Sequence, residues 1–173
     1  MKKIMLVMLI IFLFSMNNIL SKERKLPEEA IRLRVIANSN SLYDQEIKMK
    51  VKEEVQNDMY NLLNDIEDIE EARTIITNNI WFLDNNLKKF LENEKYYLGH
   101  SIELGDFYFQ ARRHMGITYE EGYYESVLVK LGQGKGDNWW CVLFPPLCLL
   151  EAHESSEIEY KFFLKEIIQK YFK

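Results

Sequence analysis

A chain of 173 residues, 47% of them hydrophobic and 28% charged, is long and apolar enough to bury the core of one ordinary domain. Its net charge of −5, without a stripe of Lys and Arg, excludes a typical nucleic-acid-binding protein. The three His and two Cys do not have the spacing of a zinc site, so we predict neither a metal nor a cofactor.

The N-terminus predicts export across a membrane. Lys2 and Lys3 precede an almost unbroken apolar run from Ile4 to Phe14, which is typical of a signal peptide. The run is short for a membrane-spanning helix, which needs about 20 apolar residues, and no small-residue cleavage site follows it. Residues 1–20 are therefore predicted to be a signal peptide or a membrane anchor that tethers the chain through residues 4–20. Residues 21–29 are predicted to be a linker, and residues 30–173 one domain.

The first predicted strand is IRLRVIAN, residues 31–38. Its apolar face consists of Ile31, Leu33, Val35 and Ala37. Arg32 and Arg34 lie on the opposite face, where they can pair with a carboxylate such as Glu103 or Glu125, or contact a partner. The stretch 38–41 ends the strand, and Ser41 is a suitable N-cap for the helix that follows.

Two amphipathic helices are predicted next. The first has the apolar stripe Ile47, Val51, Val55, Met59 and Leu62/Leu63. The second begins near Asp65 and has the stripe Ile66, Ile69, Ala72, Ile76, Ile80, Leu83, Leu87 and Leu91. From Ser101 the period changes to two, which predicts strands, and a last helical stripe follows Ser155. Strands and helices segregate along the chain, which predicts an α+β domain. We expect a small, mostly antiparallel sheet of about four strands, two long helices on one face, and a C-terminal helix.

The segment GQGKGDNWWCVLFPPLC, residues 132–148, concentrates rare residue types. Gly132, Gly134 and Gly136 surround Lys135, as in a phosphate-binding loop. Such a loop needs a following helix whose N-terminus faces the anion, and a strand follows here instead. We therefore predict that the glycines form a hairpin turn.

The two cysteines allow two interpretations. An extended chain would hold Cys141 and Cys148 about 20 Å apart, too far for a disulfide, and only a reversal at the two prolines would bring them together. Buried free thiols are the preferred interpretation, with a disulfide as the alternative. A free thiol could act with His100, His114 or His153 in an exported thiol-dependent hydrolase. The apolar strand around Cys141 disfavours a thiolate, so no catalytic residue is assigned.

Trp139 and Trp140 are adjacent in a predicted strand, so their rings point to opposite faces. One ring can then pack in the core while the other forms a binding anchor. The alternative is that both rings are buried.

Several segments resemble one known family. LRVIANSNS (33–41), DQEIKMKVK (44–52) and GYYESVLVKLGQGKGDNWWCVLFPPLC (122–148) are similar to stage II sporulation protein R of endospore-forming bacteria. The resemblance implies a signalling ligand that is exported from the forespore into the space between its two membranes. There the ligand would activate a membrane-embedded aspartic protease of the mother cell, which removes the pro-sequence of sigma factor E.

The family-typical residues fall into two predicted groups. Those assigned to structure are Asn38, Ser39, Asp44, Gln45, Gly132, Gly134, Gly136, Asn138, Cys141 and Cys148. The candidate partner contacts are Trp139, Trp140, Phe144, Pro145, Pro146, Arg32 and Arg34. Besides the ligand and the thiol hydrolase, an exported structural protein of the envelope is a third alternative.

Overall fold

A computed structural model of the chain describes residues 24–25, 30–114, 117–146 and 148, and these form parts of two compact units. The smaller unit contains a three-stranded sheet of β1 (Arg24–Lys25), β4 (Arg112–His114) and β5 (Ile117–Tyr119). In this sheet β5 is central, parallel to β1 and antiparallel to β4.

The larger unit is built on a four-stranded mixed sheet with the order β3-β6-β2-β7. Its strands are β2 (Ile31–Ile36), β3 (His100–Phe109), β6 (Gly122–Leu131) and β7 (Asn138–Phe144). The central strand β2 is parallel to β6 and antiparallel to β7, so that Leu33 lies opposite Val127 on one side and Cys141 on the other. The predicted α+β class with about four strands is confirmed, although the parallel pairing was not predicted.

Two helices cover one face of this sheet, as predicted. Helix α1 (Leu42–Leu63) begins at the N-cap Ser41, whose hydroxyl accepts a hydrogen bond from the Asp44 N–H. Helix α2 (Ile69–Asn93) is capped by Asp68, three residues later than predicted. The predicted C-terminal helix lies outside the described residues.

The core lies between the helices and the odd-numbered residues of β2 and β6. From the strands it contains Ile31, Leu33, Val35, Val127, Val129 and Leu131, and from the helices Ile47, Val51, Val55, Met59, Leu63, Ala72, Ile76, Leu83, Leu87 and Leu91. Each of these side chains is almost completely buried, and full burial of a Leu or Ile stabilises the fold by roughly 1.5–3 kcal/mol. The alternation of β2 and the helical stripes predicted these residues correctly, but four other members of the predicted stripes are only partly buried at the edge of the core: Leu62, Ile66, Ile69 and Ile80.

Candidate functional site

Most of the family-typical polar residues meet where β2 ends and the glycine-rich loop crosses it. We call this region the loop junction: residues 37–41, Asp44 and Gln45 on one side and residues 132–137 on the other. Asn38 Oδ1 accepts from the Gln133 N–H at 3.0 Å, and the Asn38 carbonyl accepts from the Lys135 N–H at 3.1 Å. The Gln45 amide donates to the Ser39 carbonyl at 2.9 Å. The two loops are therefore joined by hydrogen bonds from both backbone and side chains.

The predicted hairpin turn at the glycines is wrong. Strand β2 lies between β6 and β7, so the loop 132–137 passes over the end of β2 instead of joining neighbouring strands. A Cβ atom on Gly136 would lie 2.3 Å from the Ser39 carbonyl oxygen. The glycine is needed because two backbones touch at this crossing.

The same loop does not present its backbone to an anion. The N–H groups of residues 133 to 137 donate to Asn38 Oδ1, the Leu131 carbonyl, the Asn38 carbonyl, the Ala37 carbonyl and Asn40 Oδ1 respectively. A phosphate-binding loop leaves such groups pointing at the ligand. These hydrogen bonds are internal, so the loop serves the fold.

Asp44 is the buried centre of the junction. Its side chain is only 5% exposed, and its carboxylate accepts hydrogen bonds from Asn38 Nδ2 at 2.9 Å and from the Ser39 hydroxyl. Burial raises the pKa of the Asp44 carboxyl, but hydrogen bonds with Ser39, Asn38 and Ser41 outweigh burial and hold the pKa below its ordinary value. A charged carboxylate therefore ties the end of β2 to the first turn of α1.

On the sheet face opposite the helices, the two arginines of β2 lie among aromatic rings. The Arg32 guanidinium is 3.3 Å from the ring centroid of Tyr124 and 4.9 Å from that of Phe109. Arg34 donates to the Tyr108 carbonyl at 3.2 Å and lies 5.5 Å from the Phe109 ring centroid. Stacking on rings stabilises a desolvated guanidinium.

Arg34 also forms hydrogen bonds with Asn138 of β7. In the amide orientation that satisfies both partners, Asn138 Oδ1 accepts from Arg34 Nε at 3.1 Å and from Nη2 at 2.7 Å. Glu125, a predicted partner of these arginines, instead accepts from Arg73 Nε at 2.7 Å and Nη2 at 2.9 Å, which joins β6 to α2. Phe109 and Tyr124 had no predicted role beyond strand formation, because only the strand pairing places them beside the arginines.

The two tryptophans point to opposite faces, as predicted, and both are half-buried. Trp139 packs against the core, with Lys52 Nζ of α1 5.2 Å from its ring centroid. Trp140 packs edge-on against Phe109 at 6.3 Å between ring centroids. Neither ring is fully exposed or fully buried, and their assignment to partner contact stays a prediction.

Three other candidate contacts lie in the interior. Arg32 is 1% exposed, Phe144 is 2% exposed, and Pro145 is buried. The fold covers these three side chains in this structure, and their assignment to partner contact stays a prediction. Pro146 is half-buried.

The expectation of free thiols is wrong. Cys141 and Cys148 form a disulfide, with a Cα–Cα distance of 6.0 Å and an Sγ–Sγ distance of 2.09 Å. The chain reverses at Pro145 and Pro146, after a cis peptide bond between Phe144 and Pro145, and this reversal brings the cysteines together. The bond occupies both sulfur atoms, so in this state the thiol-hydrolase alternative has no free thiolate.

The remaining candidate catalytic and metal-binding side chains do not lie together in the described part of the chain. His100 Nε2 lies 3.1 Å from Asp84 Oδ1, which joins the start of β3 to α2. The side chain of His114 and the whole of His153 lie outside the described residues. Within the described ranges, no group of three or more His, Cys, Asp or Glu side chains could hold a metal ion. Nor does any described helix have the length and apolar character needed to cross a membrane.

One exposed apolar region was not predicted. At the end of the helix pair that lies beside the loop junction, Leu42 is 91% exposed and Tyr97 is 76% exposed. Tyr43 packs against the buried Tyr96 at 6.4 Å between ring centroids, and the Gly99 carbonyl accepts from the Gly132 N–H at 2.8 Å. These contacts of neighbouring residues place the backbone at Leu42 and Tyr97 near the loop junction. Amphipathic periodicity alone does not indicate which exposed residues lie together.

These features define a disulfide-bonded α+β domain built on a four-stranded mixed sheet with an interlocked pair of loops. Residues 27–154 match the model of the stage II sporulation protein R family, and the chain belongs to this family. It is 36% identical over 134 residues to stage II sporulation protein R of Bacillus subtilis (strain 168). The aligned region covers 78% of this chain, but only 60% of the length of that relative. No solved structure matches the chain.

Proposed function

We propose that the protein is an exported signalling ligand of sporulation that activates a membrane-embedded aspartic protease, which then removes the pro-sequence of sigma factor E. The observation that carries this proposal is the family match over residues 27–154. The disulfide between Cys141 and Cys148 supports export, because disulfides persist in oxidising compartments and are rare in the cytoplasm. The apolar N-terminal run is typical of a signal peptide, which would direct the chain across the membrane.

Activation by a ligand requires different affinities for two states of its receptor. The ligand would bind the active conformation of the protease more tightly than the inactive one and so increase the active population. For a change from 1% to 99% active, the affinities must differ about 10⁴-fold. A contact surface of modest size with a few anchoring side chains is sufficient for such a difference.

Within this proposal, we assign the contact to exposed side chains beside the loop junction. Leu42 and Tyr97 lie there, whereas Trp81, which is 75% exposed, lies on α2 away from the junction. All three are exposed, so substitution by Ser should leave the fold intact. We expect Leu42→Ser with Tyr97→Ser to reduce processing of sigma factor E, and Trp81→Ser to leave it unchanged. Equal processing by both variants would contradict this assignment.

The proposed activity itself is tested in cells that are not sporulating. The full chain, the protease and pro-sigma factor E are produced together, and each is omitted in turn. Processing that needs all three, and that stops when residues 1–20 are deleted, supports an exported activator. Processing without the full chain would refute the proposal.

A further inference from the structure

The disulfide lies where the chain leaves the sheet, and it attaches that exit to the core. Cys141 lies opposite Leu33 of the central strand β2. Cys148 is 3% exposed, and its N–H donates to the Val142 carbonyl at 3.2 Å. We call Phe144, Pro145, Pro146 and Cys148 the proline turn. The turn is therefore closed by one backbone hydrogen bond and one covalent bond.

A buried amide from α1 depends on this turn. Gln56 is completely buried, and its Nε2 donates to the Cys148 carbonyl at 2.8 Å. No partner for Gln56 Oε1 is found within the described part of the chain. A buried donor that loses its acceptor carries the full desolvation penalty. If the proline turn opens, α1 is left with an unsatisfied amide in the core.

The disulfide makes opening of the proline turn less favourable. The disulfide links residues seven apart, and a closed loop of this size favours the folded state about 60-fold in the chain-entropy treatment. Reducing conditions in the cytoplasm keep thiols free. Opening of the turn, and with it loss of the Gln56 hydrogen bond, should therefore be about 60-fold more favourable before export than after it.

We propose that oxidation of Cys141 and Cys148 is a redox switch that makes the domain competent to signal only after it has left the cytoplasm. The two thiols lose two protons and two electrons as the S–S bond forms. The electrons pass to the disulfide of an extracytoplasmic dithiol oxidoreductase, which becomes a dithiol. One cysteine thiolate attacks that disulfide, and the second then displaces the enzyme from the mixed disulfide. The signalling part of this switch rests on the proposed function, but the oxidation and the closure do not.

The first test measures the oxidation state and the closure without using activity. Thiols are trapped by alkylation in sporulating cells that produce the full chain or the chain lacking residues 1–20. We expect the full chain to be oxidised and the truncated chain to be reduced. Reduction should raise the equilibrium constant for unfolding of the purified full chain about 60-fold. It should also speed hydrogen exchange at the proline turn. Free thiols in the exported protein, or less than a threefold change on reduction, would overturn the proposal.

The second test uses the double variant Cys141→Ala and Cys148→Ala in a strain that lacks the gene. Wild-type protein is the parallel control, and Ser126→Ala, a second buried substitution, controls for loss of a core contact. We expect the double variant to lose processing at a normal protein level. Full processing would refute the switch while leaving the proposed function intact. Failure of wild-type protein to restore processing would instead refute the proposed function. If the double variant is degraded, the reduction experiment on wild-type protein decides.

Discussion

Substitution of Gly136 by Ala tests whether the loop crossing over β2 holds the fold together. The added Cβ atom would lie 2.3 Å from the Ser39 carbonyl oxygen, 2.6 Å from the Ser39 carbonyl carbon and 2.9 Å from the Ala37 Cβ atom. Relief of these overlaps requires the two backbones to separate by roughly 1 Å. The Ser39 side of the contact is anchored by Asp44 and Gln45, so the strain cannot be absorbed by rotation of one flexible side chain.

The cost follows from the hydrogen bonds that cross the junction. A separation of this size breaks the bonds from the Gly136 N–H to the Ala37 carbonyl, at 2.9 Å, and from the Lys135 N–H to the Asn38 carbonyl, at 3.1 Å. Each lost bond costs about 1 kcal/mol, and overpacking adds about 1–3 kcal/mol. We therefore expect Gly136→Ala to lower the free energy of unfolding by about 3–5 kcal/mol.

The measurement is urea-induced unfolding of the oxidised protein, followed by tryptophan fluorescence. The matched control is Gly105→Ala, because a Cβ atom there would meet only the Phe107 ring, at an ordinary 3.6 Å. With a slope of about 2 kcal/mol/M, the midpoint of Gly136→Ala should fall by about 1.5–2.5 M, while the control should change little. Equal midpoints for the two variants would refute the role assigned to the crossing.

Three further predictions concern two single side chains and one ion pair. Because the folded-state pKa of Asp44 is lowered, its carboxylate contributes stability above its unfolded pKa, near 3.9, which is lost as the pH falls through the folded value. Asp44→Asn should cost about 2 kcal/mol at pH 7 and flatten the acid side of the stability profile; an unchanged acid side contradicts this. Burial and the nearby Asp44 carboxylate raise the pKa of Tyr96 to about 12. The neutral Tyr96 side chain therefore makes its full contribution to stability below pH 10, and this contribution is lost as the pH rises towards 12. Tyr96→Phe should remove this loss of stability at alkaline pH, measured by tyrosinate absorbance and thermal unfolding. Near pH 7 the substitution should lower the free energy of unfolding by less than about 1 kcal/mol, because the described residues offer the Tyr96 hydroxyl no hydrogen-bond partner. Arg73→Ala and Glu125→Ala should each cost about 1 kcal/mol, and a double-mutant cycle should show coupling; additive effects would exclude the pairing.

Local patterns were sufficient to predict most of the elements. Alternation along residues 31–36 places Leu33 in the core and Arg34 on the other face, because a strand has a period of two. Ser41 caps α1 as its side-chain chemistry predicts. The start of α2 was misplaced, because Asp65 and Asp68 are both suitable caps and only the structure selects Asp68.

Non-local pairing could not be predicted in the same way. The glycine spacing indicates a tight chain path, but not that β2 lies between β6 and β7. The disulfide depends on the reversal at Pro145 and Pro146, and the distance along the chain does not show this reversal. Gln56 is an ordinary polar residue in sequence, and its buried bond to the Cys148 carbonyl exists only because the reversal places that carbonyl above α1. Contacts between distant segments, rather than local preferences, decide these features.

The most direct test of the proposed role is an immunoblot for sigma factor E in sporulating cells that lack the gene. The strain is complemented either by the full chain or by a chain without residues 1–20. The account predicts that pro-sigma factor E accumulates in the deletion strain, and that only the full chain restores the processed form. Normal processing in the deletion strain would contradict the proposal that this protein activates the protease.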